Sequence, residues 1–163
     1  MLLIPPAYDP KRTLDLAVMY RPQQRAGLEI KKLFDDEIIL VSSPNALDPK
    51  FGKDYMFINW GPEFQSDHSL NFPNLKNPNL SLDLSVLGID VLLKANASGY
   101  FPRRTVANFL EKKELIEIKG VPIFSYPVFS VYRHDLPKSI IRKVNEGMNA
   151  IIGSYKQEGH ISS

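Results

Sequence analysis

"LSVLGIDVLLKANASGYFPRRTVANFLEKKELIEI", residues 84–118, sets two helical patterns on either side of a short turn and strand. Leu84, Leu87, Val91, Leu92 and Ala95 fall at spacings of 3, 4, 1 and 3, one helical stripe. Asp83 or Ser85 suits the cap of its first turn, and Asn96 and Gly99 suit left-handed backbone at its end. Pro102 suits the entry to a second helix over about Arg103–Lys113, with Val106, Phe109 and Leu110 on its apolar face. "LIEIKG", Leu115–Gly120, then reads as a strand. The stretch holds no nucleophile beside its base and no metal cluster. It does hold a bare Gly99 beside Tyr100 and Phe101. A glycine there lets a ligand approach the backbone, and the free N–H groups of the next helix favour an anion. Core packing of the rings and a helix cap for Gly99 are the structural alternatives.

Working outward, "LDLAVMY" (Leu14–Tyr20) reads as a buried strand. "GLEIKKLF" (Gly27–Phe34) and "EIILVSS" (Glu37–Ser43) read as two more, separated by a turn at Asp35-Asp36. "YMFINW" (Tyr55–Trp60) is a continuous apolar strand that stops at Gly61-Pro62. A short helix starts near Glu63–His68, and "NFPNLKNPN" (Asn71–Asn79) has loop chemistry. "LSLDLS" (Leu80–Ser85) alternates strictly, with Leu80, Leu82 and Leu84 on one face. "FSYPVFSVYRHD" (Phe124–Asp135) is a strand with Pro127 at an edge or start. Asp135-Leu136-Pro137 caps a long terminal helix on which Ile141, Val144, Met148, Ile151 and Tyr155 repeat at 3, 4, 3 and 4. That spacing serves core packing and also permits a seam with a second helix. The tail from residue 157 is expected to be mobile. Strands alternating with helices give an α/β class.

The 163 residues are 44% apolar and 23% charged, ordinary for a globular chain able to bury a core. A net charge of +2 does not describe a nucleic-acid surface, and the Lys31-Lys32 and Arg103-Arg104 pairs read as solvated faces. No cysteine is present, so disulfide and thiolate chemistry are excluded. "MLLIPPAYDPKR" lacks the basic and apolar regions of a signal peptide, and no run approaches the roughly 18 apolar residues of a membrane span. A cytoplasmic protein is expected. His68, His134 and His160 stand far apart in loop-like or terminal contexts without paired ligand spacing. No nucleophile elbow, P-loop or dinucleotide fingerprint occurs. An enzyme, a metal site and a cofactor are therefore not expected. Binding residues are easier to place: Asn59, Trp60 and Gly61 where a strand ends, and Ser98, Gly99 and Tyr100 where a helix ends. Ligands of open α/β sheets sit beyond the carboxyl ends of strands.

The order of segments resembles the effector-binding domain of LysR-type transcriptional regulators. "LDLAVMYRP" is similar to that family's strand and turn into the cleft, and "GLEIKKLFDDEIILVSSPNAL" to its next strand pair and crossover. "LSVLGIDVLLKANASGYFPRRTVANFLEKKELIEI" resembles its helix, Gly-rich turn, strand with Pro, helix and strand. "PIFSYPVFSVYRHDLPKSIIRKVNEGMNAII" resembles the return crossover and final helix. Together these cover about Leu14–Tyr155.

The resemblance implies a periplasmic-binding-protein-like two-lobe fold with the first lobe incomplete. Residues 1–43 would be a first-lobe remnant, 44–121 the second lobe, 122–156 the return to the first, and 157–163 a tail. A small-molecule effector, anionic or planar, would bind in the inter-lobe cleft and modulate transcription through a homo-oligomer. The family's cleft positions carry over to Tyr20, Arg21, Asn59, Trp60, Gly61, Phe64, Gly99, Tyr100 and Phe101. No winged helix-turn-helix is visible, and "MLLIPPAYDPKRT" does not resemble the family's first strands, so a fragment or shortened gene product is expected. DNA would be met only through a winged-helix domain absent from this chain. A transport-type solute-binding protein on the same fold is the alternative, and the lack of a signal peptide argues against it.

Overall fold

The computed structural model describes residues 15–75, 80–82 and 85–158. Its elements run β1 (Leu16–Met19), β2 (Leu28–Ser42), β3 (Tyr55–Ile58), α1 (Pro62–Asn71), β4 (Leu80–Leu82) and α2 (Ser85–Ala95). They continue with β5 (Ser98–Pro102), α3 (Arg103–Glu111), β6 (Ile116–Glu117), β7 (Phe124–Arg133) and α4 (Lys138–Gln157). The chain divides into two compact units. One takes the chain up to Asp36 and again from Tyr126; the other takes Glu37–Ser125. No helix among the described residues is long and apolar enough to cross a membrane.

In the unit Glu37–Ser125 the strand order is β2-β5-β3-β4, and β6 also pairs with β2. β2 and β5 are antiparallel, from Ile38 opposite Pro102 to Ser42 opposite Ser98. β3 is parallel to both β5 and β4, as helical crossovers require. Ile39, Val41, Ile58, Phe101, Val106 and Leu115 form a fully buried core. In the other unit β7 lies between β1 and β2. There Phe34 and Val128 are buried beneath Tyr20, Leu33, Ile152 and Tyr155.

Several sequence expectations change. Asp35-Asp36 is not a turn, because β2 runs unbroken through 15 residues. Each carboxylate has a partner: Lys32, within the strand, donates to Asp35 at 2.7 Å, and the Tyr20 hydroxyl, just past β1, donates to Oδ2 of the fully buried Asp36 at 2.8 Å. β1 is a half-buried edge strand rather than a buried one, with Val18 at 37% exposure; Leu14 lies outside the described residues. On α2, Leu87 is exposed and Ala95 points out, while Gly88 and Leu92 are the buried positions. A Cβ on Gly88 would stand 3.2 Å from the Phe101 ring, so the stripe turns its glycine inward to admit that ring. Asp83 and Leu84 lie outside the described residues. Asp135 does not cap α4; Arg133 holds its carboxylate, and Pro137 takes the N-cap position. On α4, Ile152 and Tyr155 pack inward, whereas Ile151 is 54% exposed. The tail from residue 159 lies outside the described residues.

Gly99 is not a helix cap. Asn96 takes the left-handed conformation, at φ 52°, and Gly99 sits within β5, paired with Val41 and Met56. A Cβ there would lie 3.1 Å from the Met56 carbonyl oxygen and 3.4 Å from both Ile58 Cδ1 and the Phe101 ring. Glycine is needed because the neighbouring backbone and the Phe101 ring occupy the space. Gly99→Ala is expected to destabilise the protein by about 1–3 kcal/mol, since the obstacle is strand backbone that cannot yield cheaply. A urea denaturation midpoint unchanged by the substitution would contradict this.

Candidate functional site

β3 ends at Ile58, and the chain reverses through Asn59, Trp60 and Gly61 into α1. Asn59 closes the turn, its side-chain oxygen accepting the Gly61 N–H at 3.0 Å. Gly61 holds φ 117°, a conformation that strains any side chain, and it is the N-cap of α1. No side chain caps that helix end, Pro62 occupies its first position, and Glu63 places an acid in the first turn. Asn59 is exposed and Trp60 half-buried, so this turn presents side-chain surface to solvent. The Trp60 indole N–H donates to the Tyr100 carbonyl at 2.7 Å, and its ring meets Phe101 edge to face at 6.0 Å. One hydrogen bond thus ties the β3–α1 turn to β5.

Behind the turn, the other expected site residues are interior. Tyr100 and Phe101 have no exposed surface, and Phe64 has almost none. Tyr100 lies among Phe64, His68 and Phe124 at centroid distances of 5.7, 5.9 and 5.1 Å, and its hydroxyl donates to the Pro122 carbonyl at 3.0 Å. Burial pushes its phenol well above the usual range, so it stays neutral. The fold therefore brings Asn59, Trp60, Gly61, Phe64, Gly99, Tyr100 and Phe101 together. Asn59 and Trp60 reach the surface, Gly61 is tucked into the turn between them and α1, and the rest pack beneath. Tyr20 and Arg21 belong to the other unit. Tyr20 is half-buried against Tyr126 with its hydroxyl on Asp36, and Arg21 is exposed.

Two clusters were not anticipated. His68 is not in a loop: it is a buried residue of α1, surrounded by Tyr55, Phe57, Phe64, Phe72 and Tyr100. Its Nε2 lies 2.6 Å from the Tyr55 hydroxyl. Burial lowers its pKa to about 4, which keeps the imidazole neutral, and burial above all, then Tyr100, raises the Tyr55 phenol. The signal was present in sequence: Phe64, His68 and Phe72 recur every four residues, one helical face. The second cluster is Arg103, which is not on a solvated face. It bridges Glu37 at 2.9 Å and Glu117 at 3.0 and 3.1 Å, and Lys119 adds a contact to Glu117. Burial alone would raise the Glu117 pKa, but the hydrogen bonds from Arg103 and Lys119 outweigh it and hold it low. The network pins the start of α3 to β2 and β6. Among the described residues no group of three or more His, Asp or Glu is placed to hold a metal ion.

This geometry matches solved structures. The regulatory domain of CrgA, a LysR-type transcriptional regulator from Neisseria meningitidis, superposes with a TM-score of 0.64 at 17% identity, over 89% of this chain and 77% of that one. The regulatory domain of HypT from Salmonella typhimurium gives 0.65 at 10% identity, over 86% and 73%. The fold is that of a LysR-type regulatory domain. That fold is the periplasmic-binding-protein-like two-lobe fold. Full-length LysG from Corynebacterium glutamicum with bound effector arginine gives 0.62 at 15% identity, over 83% of this chain. The chain spans about half the length of that regulator, 50%. No family model and no curated protein matches the sequence.

Proposed function

We propose that the chain is the effector-binding domain of a LysR-type transcriptional regulator and acts by binding a small molecule rather than by catalysis. What carries the reading is the β3–α1 turn: an exposed Asn59, a half-exposed Trp60 and a Gly61 with left-handed backbone, set at the carboxyl end of a central parallel strand. Asn59, Trp60 and Gly61 are the proposed direct contacts. Phe64, Gly99, Tyr100 and Phe101 fix the turn from beneath, and Tyr20 and Arg21 are the candidates of the first unit. The uncapped start of α1 attracts a negative group, while Glu63 in its first turn opposes one. A zwitterion or a neutral planar molecule suits that balance better than a polyanion. The effector shifts populations of a homo-oligomer by differential affinity, and DNA is contacted by a winged-helix domain that these residues do not include.

A thermal-shift screen of amino acids and small aromatic metabolites tests this. A true effector at about 100 times its dissociation constant stabilises by about 2.7 kcal/mol. Its shift is expected to vanish in Asn59→Ala; that variant also loses the hydrogen bond to the Gly61 N–H, which costs about 1 kcal/mol, so the shift is read against the variant's own ligand-free melting. The reading fails if no compound of a broad panel shifts the melting, or if Asn59→Ala retains the full shift.

A further inference from the structure

Resting on the reading of the β3–α1 turn as the effector site, we propose that the effector presents a planar cationic group, an amidinium or a guanidinium, which lies on the Trp60 ring with its charge against Glu63. Trp60 sets the shape of the group. Its ring packs against the core and is half exposed. The indole N–H, the one polar group of that side chain, is engaged by the Tyr100 carbonyl at 2.7 Å, and Phe101 meets the ring edge to face at 6.0 Å. What the ring shows to solvent is therefore fixed apolar surface with no donor to offer, which suits stacking and the attraction of a cation to the π system.

Glu63 sets the charge of the group. Its Oε2 stands 3.9 Å from where a Cβ on Gly61 would be, and among the described residues nothing else beyond the two chain neighbours comes within 4 Å of that point. The half-buried carboxylate is thus turned back toward the turn, over a residue with no side chain. A carboxylate accepts from several donors at once, so a partner it already holds does not close it to another. From Tyr55 to Leu75 the chain carries Glu63 and Asp67 and no lysine or arginine, and burial keeps His68 neutral. The positive end of α1 is muted as well: Pro62 has no N–H, and the Gly61 N–H is taken by Asn59. An anion meets little there to hold it. A cation meets an opposite charge whose attraction grows as water is excluded around it.

Benzamidine, benzamide and benzoate are planar probes of nearly the same shape, cationic, neutral and anionic in turn. Each is titrated against the fluorescence of Trp60, the single tryptophan, excited at the red edge of its absorption, in the parent, Glu63→Gln and Glu63→Lys. Circular dichroism checks that both variants keep the fold. The parent is expected to bind benzamidine about tenfold or more tightly than benzamide, and benzoate more weakly still. Glu63→Gln is expected to bring benzamidine down to the level of benzamide and to leave benzamide unchanged. Glu63→Lys is expected to invert the order in favour of benzoate. A first-turn acid also steadies its own helix, and only the recognition role predicts that inversion. Equal binding of the three probes, a benzamidine preference that survives Glu63→Gln, or no saturable response to benzamidine would each overturn the proposal. Equal binding would leave the turn standing as an effector site, because Trp60 still reports its occupancy; the site itself falls with the melting screen and Asn59→Ala.

Discussion

Between pH 6.5 and 5 the protein is expected to lose about 1–2 kcal/mol of conformational stability, and His68→Gln is expected to flatten that loss. The folded-state pKa of His68, about 4, lies below its ordinary value of 6.5. In that interval the unfolded chain binds a proton that the folded chain refuses, so stability rises with pH across it. The contribution is complete above pH 6.5 and drains away as pH falls toward 4. The gap corresponds to a total on the order of 2–3 kcal/mol, the lower end allowing for the attraction of an imidazolium to the five surrounding rings. Glu117 has a depressed pKa and adds its own loss only further into acid, below its ordinary value of 4.5. The window above pH 5 therefore isolates the histidine. Glutamine keeps a hydrogen-bonding group for the Tyr55 hydroxyl and removes the titration. Urea denaturation followed by the fluorescence of Trp60, the single tryptophan, gives the profile directly. Equal pH dependence in the parent and His68→Gln would refute the assignment.

The same histidine shows where sequence reading stopped short. Local chemistry announced the elements whose reasons are local. Pro102 ahead of Arg103 marked the start of α3, and a long 3–4 repeat after Pro137 marked α4. What remained hidden depends on residues distant in sequence. Asp35-Asp36 looks like a turn until Tyr20, sixteen residues away, supplies the hydroxyl that lets Asp36 stay buried in a strand. Gly88 carries no apolar mark, yet it is the inward position of α2 because a large ring, Phe101, needs its space. Arg103 looked like half of a solvated pair because neither Glu37 nor Glu117 is near it in the chain. Aromatic residues beside a glycine were legible as a place of close approach. Whether a ligand or the protein itself makes that approach depends on burial, which the sequence does not display.

Tyr100→Ala is expected to cost about 3–5 kcal/mol of stability, more than any other single substitution considered in this unit. The ring has no exposed surface and touches Phe64, His68 and Phe124, which come from α1 and β7. Its removal leaves a cavity whose walls are other rings, and rings held by one another collapse poorly into such a space. Tyr100→Phe keeps the packing and deletes only the hydroxyl that donates to the Pro122 carbonyl. That carbonyl belongs to an exposed residue and can turn to water, so the cost is expected to be about 1 kcal/mol. The two variants separate a packing role from a recognition role. If Tyr100 packs, stability falls steeply for alanine and slightly for phenylalanine, and phenylalanine binds an effector found by thermal shift as the parent does. If Tyr100 touches the ligand through its hydroxyl, phenylalanine loses binding while its denaturation midpoint barely moves. The Trp60 N–H rests on the Tyr100 backbone carbonyl, which phenylalanine leaves in place. The β3–α1 turn should therefore keep its geometry in Tyr100→Phe, and any loss of binding there would belong to the missing hydroxyl alone.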